Sequence, residues 1–221
     1  MSHQNHSETD KVATFFEGYA SGFDSIYGHS EKRSGFQKLV DNLFRRTMFL
    51  RFQKTLRYTI DPSIVTIIDI GCGPGHYCLE FLRQHKIVTG LDLSEEMLKI
   101  AQRNINTLQV KGEKHFIKAD YLTHIFDKKF DAACLMGFFD YIKDPEDILL
   151  KLKKEISKEV FASFPKSGGL LAVQRKIRYK LKNCPLYLYS KNDVTGLMNQ
   201  AGFRKFEIQD CERDWFVRIT V

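Results

Sequence analysis

The chain has 221 residues, 43% of them hydrophobic and 28% charged, with a formal net charge of +7. That balance describes one globular domain, two at most, and excludes a disordered, collagen-like or small disulfide-stapled chain. No apolar run approaches the roughly 18 residues that cross a bilayer, and the polar start from Met1 to Asp10 does not read as a secretory leader.

Val12 to Tyr27 is aromatic and broken by Gly18 and Gly22, which predicts a short helix or a pair of turns. Ser34 stands three residues before Gln37 in a capping-box arrangement, and Phe36, Leu39, Val40, Leu43, Phe44, Met48, Phe52 and Leu56 follow at helical spacing. An amphipathic helix to about Tyr58 is predicted, stopped before Asp61-Pro62. From there strands and helices alternate, the pattern of a parallel sheet covered on both faces. Strands are expected at Ile64–Ile70, Ile87–Leu91, His115–Lys118, Phe130–Met136 and Glu159–Phe164, the first a β-branched run suited to burial on both sides. Helices are expected at His76–Gln84, from the Ser94 cap to Asn106, and from Pro145 to about Ile156. Ser190 and Asp193 open a last helix that ends at Gly202, after which Phe203–Asp210 and Trp215–Val221 read as a hairpin. The expected fold is therefore an α/β, doubly wound, seven-stranded sheet, mostly parallel, with an antiparallel C-terminal strand and an antiparallel edge made by the last two strands. Residues 1–58 are expected to form a helical lid or extension, and 59–221 the core.

Asp69-Ile-Gly71-Cys72-Gly73-Pro-Gly75 lies between the first strand and its helix, where glycines and helix-start N–H groups let a ligand approach closely. In an open α/β sheet this crevice, outside the carboxyl ends of the strands, is the ligand site. A dinucleotide fingerprint would carry Gly or Ala at the sixth position from Gly71, where His76 stands, and Pro74 is foreign to it as well. Asp92 ends the second strand, positioned to accept hydrogen bonds from both hydroxyls of a ribose. Asp120 follows the third strand, and Gly137 and Asp140 the fourth.

The positive charge is concentrated. Val160 to Asn192 holds seven basic residues (Lys166, Arg175, Lys176, Arg178, Lys180, Lys182 and Lys191) and no acidic one, and Glu31 to Arg57 is a second basic zone. An anionic partner near those segments is expected. Five cysteines (Cys72, Cys78, Cys134, Cys184 and Cys211), without Cys-x-x-Cys or paired histidines, read as reduced thiols in a cytoplasmic protein and define no metal site.

The segments IIDIGCGPGHY (67–77), GLDLSEEMLKIAQRN (90–104), KADY (118–121) and FDAACLMGFFDYIKDPEDIL (130–149) together make the chain from about Thr59 onward resemble the class I S-adenosylmethionine-dependent methyltransferases of the small-molecule type. The resemblance implies S-adenosyl-L-methionine as cofactor and S-adenosyl-L-homocysteine as product. Asp69, Gly71, Cys72, Gly73 and Gly75 would surround the methionine part, and Asp92 would hold the ribose. Leu93 and Met97 would flank the adenine, Asp120 and Tyr121 border it, and Met136 and Gly137 lie beneath the methionyl chain. The aromatic segment Phe15–Gly28 looks like the lid of such enzymes, with Tyr19, Phe23 and Tyr27 over the sulfonium, where cation–π attraction favours aromatics.

Methyl transfer from a sulfonium needs mainly orientation and exclusion of water, and a general base is optional. Asp140 and Tyr141 are the candidates, with His29 a weaker one. The acceptor is expected at the basic insertion 165–190, where Arg175, Arg178, Tyr179, Tyr187 and Tyr189 suit a small anionic, partly flat or sugar-like molecule. Helical spacing sets Arg175, Arg178 and Lys182 along one side. This segment loosely resembles tetrapyrrole-carboxylate methyltransferases. The expected activity is methyl transfer to O or N of a small anionic metabolite. A nucleic-acid methyltransferase is the second reading, although GFFDY after the fourth strand lacks the Asn/Asp-Pro-Pro-aromatic signature of base-amino methylation. A non-catalytic cofactor-binding subunit is the third. No membrane span is expected, and oligomeric state is not legible.

Overall fold

A computed structural model describes residues 35–181 and 184–221, with side chains of the first helix from Arg45 onward. The first helix, α1, runs over Gly35–Thr59, so the predicted Ser34 cap lies outside the described residues. Then follow β1 (Thr66–Ile70), α2 (His76–Arg83), β2 (Ile87–Asp92), α3 (Glu95–Thr107), β3 (Lys114–Lys118) and β4 (Phe130–Leu135). The second half holds α4 (Glu146–Glu155), β5 (Ile156–Pro165), α5 (Gly169–Leu181), α6 (Lys191–Gln200), β6 (Lys205–Cys211) and β7 (Asp214–Thr220).

All seven strands form one sheet in the order β3-β2-β1-β4-β5-β7-β6. Strands β1 to β5 pair in parallel, and β7 is antiparallel to both β5 and β6. The C-terminal hairpin thus forms the expected antiparallel edge, with β7 beside β5 and β6 outermost. The crossover through α6 carries the chain past the position beside β5, and the β6–β7 hairpin folds back into the gap.

The β-branched run of β1 has the burial expected of a central strand. Ile68 and Ile70 face one core, with Leu149 and Leu152 of α4 and Val194 and Met198 of α6. Ile67 faces the other, with Phe81 and Leu82 of α2 and Leu98 and Ile105 of α3. Helix α1 closes this second layer: Tyr58 stacks on Phe161 and Phe216, with centroids 5.9 and 6.3 Å apart. Ser94 caps α3 by accepting from the Met97 amide, and Ser190 with Asp193 forms a reciprocal capping box at α6. The turn before β1 is fixed by Lys86, whose ammonium donates to the Asp61 and Ile64 carbonyls. No helix of the described residues is long and apolar enough to cross a membrane.

Candidate active site

The site is built where β1 and β2 end. Gly71, Gly73 and Gly75 all take left-handed φ, at 71°, 51° and 78°, so the loop can turn sharply into α2. Two of them differ sharply in surroundings. A Cβ on Gly75 would stand 2.7 Å from the Ala101 Cβ, which locks the loop against α3, whereas a Cβ on Gly73 would meet nothing within 4 Å. The loop thus packs at one end and leaves an open face in the middle.

Asp92 ties this loop to the next strand. Its Oδ2 accepts from the Gly73 amide at 2.8 Å and its Oδ1 from the Ser94 amide at 2.9 Å. Burial raises the pKa of this carboxyl, and the backbone donors at Ser94, Gly73 and Leu93 oppose the rise. Each oxygen keeps a further lone pair that can accept from one hydroxyl of a vicinal diol.

Asp69 lies fully buried at the end of β1 and accepts from the Cys78 thiol at 3.3 Å. Burial pushes its pKa up to about 7 against an ordinary 3.8, with the Cys78 and Cys134 thiols opposing. Between those two values the folded protein holds a proton that the unfolded chain has released, so this group's contribution to stability falls as pH rises across the window. Asp69→Asn should therefore flatten the decline between about pH 4 and pH 7. Urea midpoints of wild type and variant across that range check this, and parallel profiles would refute it.

Beyond β4 the structure assembles a second group of residues. The Gly137 amide donates to Ser163 Oγ at 2.8 Å, and a Cβ on Gly137 would lie 3.5 Å from Nη2 of Arg51. Arg51, projecting from α1, donates to Asp214 Oδ2 at 2.8 Å and to Ser163 Oγ at 3.3 Å. Arg175 of α5 donates to Asp214 Oδ1 at 2.9 Å and, with its other terminal nitrogen, to Asp140 Oδ2. The result is a buried row of alternating charges, Arg51, Asp214, Arg175 and Asp140, at the carboxyl ends of β4 and β5. Asp140 Oδ1 is buried and has no hydrogen-bond partner among the described residues. Burial raises the Asp140 pKa while Arg175 pulls it down, and the rise prevails. Tyr141 and Tyr179 share a hydroxyl contact at 3.2 Å beside this row.

The remaining predicted positions sort by environment. Cys72 is buried, Leu93 and Met136 are half-buried, and Met97 is buried in the first turn of α3. Asp120 accepts from the Leu122 amide at 2.9 Å in the turn after β3. Tyr121 is turned into the core with the Lys151 ammonium over its ring. Tyr189 is buried, its hydroxyl donating to the Ile142 carbonyl at 2.9 Å, and the Tyr187 amide donates to the Asp140 carbonyl at 2.9 Å. Arg178 is half-buried on α5. Tyr19, Phe23, Tyr27 and His29 lie outside the described residues. Sequence reading missed Arg51, Ser163 and Asp214. The only signal was the basic zone containing Arg51, because its partner is 163 residues away.

Residues 67–157 match the family model described as a methyltransferase domain. The strand order and the glycine loop after β1 accord with that match. Among particular relatives, the chain is 30% identical over 139 residues to YqeM of Bacillus subtilis (strain 168), a protein named as a methyltransferase, covering 62% of this chain and 53% of that one. It is 29% identical over 91 residues to the ubiquinone biosynthesis O-methyltransferase of Hydrogenovibrio crunogenus, covering 41% and 38%. The chain thus spans about half, or less, of the length of these curated relatives. In fold it is similar to magnesium protoporphyrin IX methyltransferase (ChlM) from Synechocystis PCC 6803 with bound SAH, at TM-score 0.72 and 18% identity, covering 96% of this chain and 99% of that one.

Proposed function

We propose that the protein is an S-adenosylmethionine-dependent methyltransferase acting on O or N of a small anionic metabolite. The observation that carries the reading is the coupling of the open glycine loop to Asp92 through the Gly73 amide. The chain's residues fit the cofactor: the clear space over Gly73 would admit it, and Asp92 would hold its ribose hydroxyls. When bound, the cofactor supplies an activated methyl group on a sulfonium. Leu93 and Met97 would flank its adenine, and Met136 and Gly137 would border its methionyl chain.

The acceptor side rests on the row beyond β4. A buried, unpartnered carboxylate oxygen in low dielectric is an effective place to receive a proton. In this reading Asp140 takes the proton from the acceptor hydroxyl or amine, and Arg175 is a positioning residue that fixes the carboxylate. The basic stretch 165–190 favours an anion, and the relatives named for ubiquinone and protoporphyrin methylation accord with a small-molecule acceptor.

The test is methyl transfer from isotopically labelled cofactor to a panel of small anionic hydroxy, amino and carboxylate compounds. Asp140→Asn should lower kcat by roughly 10²–10⁴-fold with cofactor affinity unchanged. An undiminished kcat would remove Asp140 from the chemistry, and failure of the wild-type chain to bind the cofactor would overturn the whole reading.

A further inference from the structure

Helix α5 has a face that the site does not use. Ala172, Arg175 and Tyr179 point into the protein. On the opposite side Leu170, Val173, Ile177 and Leu181 recur at spacings of three, four and four, which gathers them into one stripe. These four are 89%, 55%, 56% and 82% exposed, and no other helix of the described residues presents as many large apolar side chains to water. The exposed Lys176 and Lys180 run along the border of the stripe, and no acidic residue lies between Val160 and Asn192.

A continuous aliphatic stripe in water marks a surface that something covers. We propose that α5 docks flat on an anionic lipid surface, with Leu170, Val173, Ile177 and Leu181 among the acyl chains and Lys176 and Lys180 on the phosphates. Charge selects this occupant. A second copy laid helix against helix would bring a second set of uncompensated cations against the first, whereas an anionic bilayer neutralises them. The lysine stems are long enough to keep the ammonium groups at the headgroups while the aliphatic side chains enter below them. Thirteen residues of helix are about 20 Å, too short to span but suited to lying in the interface. Because Arg175 projects from the inner face of the same helix, docking sets the row of charges about one helix diameter, roughly 10 Å, from the lipid. An amphiphilic acceptor would then reach it without crossing bulk water, a consequence that, unlike the docking itself, rests on the methyltransferase reading.

The experiment is co-sedimentation of the full chain with vesicles of phosphatidylcholine alone and of phosphatidylcholine mixed with phosphatidylglycerol, without cofactor. The chain should pellet with the mixed vesicles and, at least tenfold more weakly, with neutral ones. Leu170→Glu/Ile177→Glu and, separately, Lys176→Glu/Lys180→Glu should each reduce pelleting by at least tenfold, with thermal midpoints and cofactor affinity unchanged. No pelleting of the wild-type chain with mixed vesicles, or pelleting of either variant equal to that of wild type, would overturn the proposal. So would a wild-type dimer in analytical ultracentrifugation that Leu170→Glu/Ile177→Glu converts to monomer, since the stripe would then be a self-interface.

Discussion

Replacing Asp92 with alanine is expected to weaken S-adenosylmethionine binding by on the order of 2–5 kcal/mol, thirtyfold to several thousandfold in Kd. Two effects add. The variant loses a charged acceptor for two hydroxyls in a buried setting, and it releases the Gly73 amide that Asp92 Oδ2 holds at 2.8 Å. Asp92→Asn keeps one acceptor oxygen and should fall between wild type and alanine. Gly73→Ala separates the loop's shape from its stability, because its Cβ meets no protein atom within 4 Å. The left-handed φ of 51° costs only about 1–2 kcal/mol of stability, yet the new methyl group enters the space assigned to the ligand, so affinity should drop while the fold holds. Calorimetric titration with the cofactor and with its demethylated product, beside thermal unfolding, reads both quantities. An unchanged Kd in Asp92→Ala would show that the ligand lies elsewhere.

The elements that sequence reading found are those whose signals are local. A β-branched run, a serine cap with its acidic partner and a glycine cluster at a strand end each act within a few residues, and β1, α3, α6 and the loop at Gly71–Gly75 stand where those signals put them. The start of β5 was legible only to Glu159, because Ile156 leaves α4 directly in extended backbone and no turn residue marks the change. The row beyond β4 was legible in part. Asp140 and Arg175 carried suggestive positions, but their pairing and the roles of Arg51 and Asp214 arise from packing among α1, α5, β4 and β7. Charged residues in a basic stretch read as surface until tertiary structure buries them. Their burial also alters what Arg175 and Tyr179 do, since both spend their polar atoms on protein partners. In the proposed reading they organise the acceptor side, and direct contact to an anion would fall to neighbours on the same segment.

Arg175→Ala should destabilise the protein by about 3–5 kcal/mol at neutral pH, lowering Tm by roughly 6–20 °C for a chain of this size. Arg175 bridges two buried carboxylates, and its removal leaves Asp140 and Asp214 facing each other without compensation. Arg51 still holds Asp214 from the far side, so the larger burden falls on Asp140. The pH dependence follows from the sign of that burden. Burial already raises the Asp140 pKa, and loss of the guanidinium raises it further, so the variant's folded state holds a proton that its unfolded state releases near the ordinary carboxylate pKa. The deficit relative to wild type should therefore shrink as pH falls from 7 toward 4. Adding Asp140→Asn to Arg175→Ala removes the stranded charge and should recover part of the loss at neutral pH, a non-additivity expected of groups in direct contact. Unfolding curves of the four proteins at two pH values measure the cycle. A single variant as stable as wild type at neutral pH would mean that the row contributes nothing net to stability, leaving orientation of Asp140 as the reason for burying so much charge beside the site.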